Sequence, residues 1–174
     1  ILIICSAFFS MAETAFMSIS RLKAETLVKQ KVAQANILLK LKEQPRQVII
    51  AILIGNNVAN ISASALATGM AIRLYGEQGI GIATGIMTFV LLTVGEIIPK
   101  SYATIHAEKI GLIIATPTMI AIKAMYPLVM LFEKITTTVL KMFGSTKKTE
   151  FFSESELRTL LEIGVKENRI GATE

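Results

Sequence analysis

Residues Gln47–Ile72 read QVIIAILIGNNVANISASALATGMAI, and none of them is charged. An apolar stretch of roughly 18–20 residues is long enough to cross the ~30 Å hydrocarbon core of a bilayer as a helix. A second uncharged stretch covers Gln78–Gly95, and a third, Ile1–Ser20, is interrupted only by Glu13. The mean hydropathy is +0.59. We therefore predict an all-α integral membrane protein with three transmembrane helices per subunit, at about residues 1–20, 46–72 and 77–99.

The positively charged residues predict the orientation, because short loops rich in Lys and Arg stay in the cytoplasm. The connection between the second and third helices, Arg73–Glu77, carries one Arg against one Glu. We expect a multi-pass protein of the plasma or inner membrane, with its N-terminus outside and its C-terminus cytoplasmic. The basic residues behind the net charge of +5 flank the predicted membrane spans, where they are explained by membrane topology. No nucleic-acid partner is therefore expected. The first connection is the strongly basic one, with Arg21, Lys23, Lys29, Lys31, Lys40, Lys42 and Arg46.

Two further segments are expected to lie at the cytoplasmic interface as belt helices. Residues 22–42 alternate apolar residues with lysines, in the manner of an amphipathic surface helix. Residues 107–142 are apolar, but Lys123, Pro117 and Pro127 divide them into pieces too short to cross the bilayer.

The composition changes near the end of the chain. Residues 1–143 form the predicted transmembrane domain, and a polar stretch follows it. Ser153 and Glu156 have the spacing of a capping box, which predicts a soluble helix within residues 151–174.

Polar side chains recur inside the predicted spans, where the bilayer offers no water as a partner. Ser6, Ser10 and Glu13 share one face of the first helix. Two simpler roles stay open for such residues: Asn and Ser can join helices by hydrogen bonds, and Glu13 can pair with a lysine. The second span carries four polar residues within a few turns, namely Asn56, Asn57, Asn60 and Ser64.

The third span ends in a carboxylate beside an irregular backbone. Pro99 lacks the N–H that would bond the Gly95 carbonyl, so an oxygen is freed next to Glu96. Irregular backbone at membrane depth is tolerated where it lines a cavity or binds an ion. We expect Pro99 to serve as a hinge, with Lys100 as the rival partner of Glu96.

These candidate ligands are all hard oxygens, which suit Mg²⁺, Ca²⁺ or Na⁺ and disfavour zinc and copper. Glu13, Asn56 and Ser64 are expected to support the ligands or to hold Na⁺. The predicted metal ligands are the side chains of Ser6, Ser10, Asn57, Asn60 and Glu96 together with the carbonyl of Gly95, and which of the two Asn residues is the direct ligand stays open.

The sequence resembles the DUF21 transmembrane domain of the cyclin M/CorC family of magnesium transporters. Three motifs carry the resemblance: SMAETAFMSISRLKAETL at 10–27, IGNNVANI at 54–61 and GEIIPKSYA at 95–103. It implies a homodimer with three spans per subunit, cytoplasmic belt helices and an acidic helical bundle beginning within 151–174. A pair of nucleotide-binding CBS domains is expected beyond Glu174, so nucleotide regulation is not assigned to this chain.

The resemblance also implies Mg²⁺ extrusion, coupled in several members to Na⁺ entry, through the same ligand set. Two alternative functions remain, a divalent cation channel and a membrane-anchored ion sensor or scaffold. The transport direction, the coupling ion and the preference for Mg²⁺ over Mn²⁺ or Co²⁺ stay open at this point. No enzymatic activity is expected, because the sequence offers no nucleophile–base set and no phosphate-binding loop.

Overall fold

The computed structural model describes residues 1–143, and their regular structure is entirely helical, as predicted. These residues cover a compact unit, Ile1–Thr136, and the first residues of a second unit, Thr137–Glu174. The predicted helix within 151–174 lies outside the described residues. The elements are α1 (Leu2–Ser18), α2 (Arg21–Lys29), α3 (Ala35–Glu43), α4 (Pro45–Tyr75), a 3₁₀ turn (Gly76–Gln78), α5 (Gly79–Val90), a π-helical segment (Leu91–Ile97), α6 (Ile98–Ile105), α7 (Ala107–Ala124) and α8 (Tyr126–Met142).

The described residues contain one to three candidate membrane spans by length and composition. The helical stretch Pro45–Ile105 is long and apolar enough by itself. Two bent helix pairs meet the same criteria when each pair is taken as one segment. These pairs are α1 with α2, bent by 89°, and α7 with α8, bent by 79°.

The stretch Pro45–Ile105 folds back on itself as a hairpin. At Gly76 φ is 66° and ψ is −151°, a conformation that glycine adopts without strain. Asn60 on the first limb bonds Glu96 on the second at 3.3 Å, which requires the limbs to lie side by side. With 31 residues, α4 alone is about 46 Å long at 1.5 Å per residue.

Helix α1 occupies the centre of the first unit and packs against α4, α6, α7 and the π-helical segment. It approaches α4 closely at Gly55, where an added Cβ would lie 2.3 Å from the Phe9 ring. Small residues allow the other close contacts, because short side chains let helix backbones approach. Ala12 and Ala15 on α1 and Ala103 on α6 are fully buried.

The first basic connection contains two helices, α2 and α3, whereas its sequence predicts one amphipathic helix over residues 22–42. Lys31 and Gln34, between α2 and α3, have φ values of 56° and 65°. Residues in this left-handed region cannot continue an α-helix. Helices α2 and α3 pack together and bury Leu27 and Leu38 in the core, so packing stabilises two short helices over one long one.

Pro117 does not interrupt its helix, and this part of the prediction is wrong. Helix α7 runs unbroken through 18 residues with Pro117 inside it. The proline removes one hydrogen bond, but Ile114 and Ala115 on the preceding turn are buried and hold the helix against the core. The chain bends instead at Met125, and Pro127 lies in the first turn of α8, where a missing N–H is tolerated.

Candidate cation site

The first part of the candidate site is a pair of buried hydroxyls on α1. Ser6 and Ser10 are both 0% exposed, and their spacing of four residues places them on one face of the helix. The Ser10 Oγ atom has no hydrogen-bond partner in the described part of the chain. A buried hydroxyl without a partner is destabilising by about 1–3 kcal/mol, which makes this oxygen available to a ligand.

Helix α4 contributes Asn56 to the same region. The Ser6 Oγ atom donates a buried hydrogen bond of 3.1 Å to the Asn56 Oδ1 atom. The neighbouring Asn57 is exposed, and its Nδ2 atom donates a hydrogen bond of 2.8 Å to the Leu53 carbonyl on its own helix. One step along a helix rotates the side chain by about 100°, so the structure brings Asn56 and not Asn57 to α1.

The second limb of the hairpin supplies the carboxylate. The Asn60 Nδ2 atom lies 3.3 Å from the Glu96 Oε1 atom, and Glu96 is half-buried. The other polar atom of this amide, Asn60 Oδ1, is buried and has no partner among residues 1–143. Two neighbouring side chains thus carry two kinds of oxygen that suit a cation, the Glu96 carboxylate and the unpaired Asn60 amide oxygen.

Glu96 stands in the π-helical segment, which is where the sequence predicts an irregular backbone. Segments of π-helix are rare and are found frequently at functional sites. Gly95, also in this segment, is buried, and an added Cβ would lie only 2.9 Å from the Ser6 Oγ atom. The missing side chain therefore lets the second limb approach α1. Pro99 follows at the start of α6 and is buried.

The remaining predicted site residues lie at the edges of this cluster. Ser64 lines an open groove of about 630 Å³ that runs along α4 from Asn60 to Ile72. Glu13 is engaged elsewhere, because the Lys100 Nζ atom lies 3.0 Å from its Oε2 atom. The simpler role for Glu13, pairing with a lysine, is thus the one the structure displays. Lys100, which was expected as the rival partner of Glu96, thus pairs with Glu13.

The chemistry of the cluster suits a hard cation. No group of three His, Cys, Asp or Glu side chains able to hold a metal occurs within the described range. Any metal bound there must rely on neutral oxygens with few charges. Serine hydroxyls, asparagine amides and one carboxylate form such a set, and Mg²⁺, Ca²⁺ and Na⁺ accept ligands of this kind.

Sequence reasoning missed a structural role for Lys42, which it counted only among the basic residues that set orientation. The Nζ atom of Lys42 on α3 bonds the Phe16 carbonyl at the end of α1 and sits 3.8 Å from the centre of the Phe16 ring. A cation is favourable at a helix C-terminus, where carbonyls lack partners. Burial lowers the pKa of Lys42 to about 8, because desolvation penalises the charged amine. No periodicity in the sequence distinguishes it from the other lysines.

Comparison with known proteins gives the family. The model of the cyclin M transmembrane N-terminal domain matches residues 1–174. The chain is 40% identical over 166 residues to a UPF0053 protein of Haemophilus influenzae, covering 92% of this chain and 40% of that protein. It is 39% identical over 164 residues to the UPF0053 inner membrane protein YfjD of Escherichia coli, covering 90% of this chain and 37% of that protein.

A plant relative shows the same coverage of this chain. A chloroplastic DUF21 domain-containing protein of Arabidopsis thaliana is 34% identical over 157 residues, which is 90% of this chain and 24% of that protein. The chain thus spans less than half the length of these relatives. It is a membrane protein, and it belongs to the cyclin M transmembrane N-terminal domain family.

Proposed function

We propose that this protein transports Mg²⁺ across the membrane, as an exporter coupled to Na⁺ entry. Its family is associated with divalent cation transport. The observation that carries the proposal is the contact between Asn60 and Glu96, in which a carboxylate lies beside an amide whose buried oxygen is unpaired within residues 1–143. Oxygen atoms of this kind are the ligands that Mg²⁺ takes in proteins.

In this proposal Mg²⁺ exchanges part of its water shell for protein oxygens. Asn56 takes the place that the sequence gives to Asn57, because Asn56 is the amide that contacts α1. One formal negative charge leaves a divalent ion undercompensated, so we expect a modest affinity, which suits an ion that must also be released. Na⁺ would compete for the same oxygens. The proposed ligands are Ser6, Ser10, Asn56, Asn60, Glu96 and the Gly95 carbonyl.

The proposed arrangement in the membrane has three spans, formed by α1, α4 and the limb Gly79–Ile105. Helices α2, α3, α7 and α8 would form the belt at the cytoplasmic interface, with the N-terminus outside. Two copies would assemble as a homodimer. Pro99, directly after the π-helical segment, would let the second limb rock against α1 during alternating access.

Titration calorimetry with MgCl₂ on the detergent-solubilised chain tests the site. We expect binding in the micromolar to millimolar range for the wild type, and loss of binding in Glu96→Gln and in Asn60→Ala. The matched control is Asn57→Ala, which removes an equal amide from the exposed side of α4 and should leave binding unchanged. Equal binding by wild type and Glu96→Gln would overturn the proposed site.

Flux in liposomes then separates transport from the alternatives. Mg²⁺ efflux that depends on an opposing Na⁺ gradient supports coupled export. Flux that ignores the Na⁺ gradient would indicate a channel. Binding without flux would indicate a sensor or scaffold. Competition by Mn²⁺ and Co²⁺ in the same assay measures selectivity.

A further inference from the structure

An ion pair joins α1 to α6 beside the candidate site. Lys100 Nζ lies 3.0 Å from Glu13 Oε2, and the two side chains are 40% and 30% exposed. The pair therefore keeps more of its strength than an ion pair on an open surface, since solvent screens it less. Two further ion pairs, Arg21–Glu25 and Lys23–Glu108, are more exposed, at 50% and 40% and at 49% each.

The position of this pair in the fold places its charges close to the proposed ligands. Glu13 follows Ser10 by three residues on α1, and Lys100 follows Glu96 by four residues on the second limb. Four helical residues advance about 6 Å along the axis, which is shorter than the Debye length of about 8 Å at physiological salt. A cation beside Glu96 therefore feels both charges.

We propose that the Glu13–Lys100 pair sets the affinity of the site for its cation by balancing two opposite charges at its edge. This inference rests on the cation site proposed above. Glu13 neutralises Lys100, whose bare ammonium would repel an arriving divalent ion. Lys100 in turn keeps Glu13 from acting as a second carboxylate, which would hold the ion too tightly for release.

The electrostatic role makes a prediction that a mechanical role does not. If the pair only clamps α1 to α6, removing either partner loosens the same contact and weakens binding in both variants. If the pair balances charge, the two substitutions change the local charge by one unit in opposite directions. Glu13→Gln then weakens Mg²⁺ binding and Lys100→Gln strengthens it.

The expected size of each shift is about tenfold. A unit charge about 6 Å from a divalent ion changes its affinity by roughly tenfold at the dielectric constant of water and by far more in a protein interior. The partial exposure of the pair places the effect near the lower limit. The double variant Glu13→Gln/Lys100→Gln should bind within about threefold of the wild type, because its net charge is restored.

Calorimetric titration with MgCl₂ at low and high choline chloride, a salt whose cation is too bulky to compete for the site, tests this on the whole chain. The matched control is Glu25→Gln, which removes one carboxylate from an ion pair within α2 and should leave the affinity unchanged. We expect the opposite shifts of the two single variants to shrink as salt rises. A thermal melt of each variant without Mg²⁺ reports any loosening of the helix contact separately.

The outcomes separate the inference from the function on which it rests. Shifts of opposite sign, cancelled in the double variant, support the charge balance. Shifts of the same sign, or none, overturn it while leaving the cation site intact, provided that Glu96→Gln still abolishes binding. Absence of binding in the wild type overturns both.

Discussion

Replacing Gly95 with alanine should destabilise the protein by wedging the second limb of the hairpin away from α1. The new Cβ would lie 2.9 Å from the Ser6 Oγ atom, whereas ordinary contacts begin at 3.4 Å. The second limb and the Ser6 side chain must therefore move apart by about 0.5 Å (3.4 − 2.9). Ser6 is fully buried and already bonds Asn56 at 3.1 Å. Losing that bond and leaving the amide oxygen unpaired costs about 1–3 kcal/mol.

Thermal unfolding followed by far-UV circular dichroism in detergent measures this loss. For a chain of this size about 2 kcal/mol corresponds to a decrease in Tm of roughly 4–8 °C. Gly85→Ala is the matched control, because nothing lies within 4 Å of a Cβ at Gly85. That variant should keep or slightly raise the Tm, since alanine favours a helix by about 1 kcal/mol over glycine.

A second variant shows whether the Ser6 hydroxyl is the atom responsible. Combining Gly95→Ala with Ser6→Ala removes the oxygen and leaves the Ser6 Cβ at an ordinary 3.5 Å. The combined loss should therefore be smaller than the sum of the two single losses. Strict additivity, or equal Tm values for Gly95→Ala and Gly85→Ala, would refute the reasoning.

Two further predictions concern buried polar groups outside the cation site. Relative to Lys42→Met, the wild type should gain about 1 kcal/mol of stability between pH 8 and 10.5, after allowing for partial exposure. In that window the unfolded chain still holds a proton that the folded Lys42, with its pKa lowered to about 8, has released. Parallel pH–Tm curves would contradict this. Thr118→Val should leave the Tm unchanged or raise it, because the buried Thr118 Oγ1 has no partner in the described chain; a loss above about 1 kcal/mol would reveal one.

Much of the fold could be predicted because hydropathy and charge act along the chain. The uncharged stretches gave the helical class and the position of the α4–α5 hairpin, which reverses at the short polar connection Arg73–Glu77. The irregular backbone before Pro99 was also predictable, because proline removes a specific hydrogen bond wherever it stands. It appears as the π-helical segment Leu91–Ile97.

At Pro117, tertiary packing overrides the local preference of the sequence. A proline inside an isolated helix is destabilising by about 3 kcal/mol, and the sequence therefore predicts a break. In the folded unit α7 buries several apolar side chains, and this burial outweighs one lost hydrogen bond. The opposite happens at Lys31 and Gln34, where good helix formers take left-handed backbone angles. The turn lets α2 and α3 pack together and bury Leu27 and Leu38.

The sequence by itself determined the helical membrane class, the helical register of Ser6 with Ser10, and the presence of a carboxylate at the end of an apolar limb. Only the tertiary structure decided which side chains meet. Helix α4 carries apolar residues on every side between its few polar ones, so its sequence does not reveal which way it is rotated against α1. That rotation turns Asn56 towards Ser6 and leaves Asn57 exposed. Likewise, the ion pair of Lys100 with Glu13 depends on the distance between two helices, which no pattern within either helix contains.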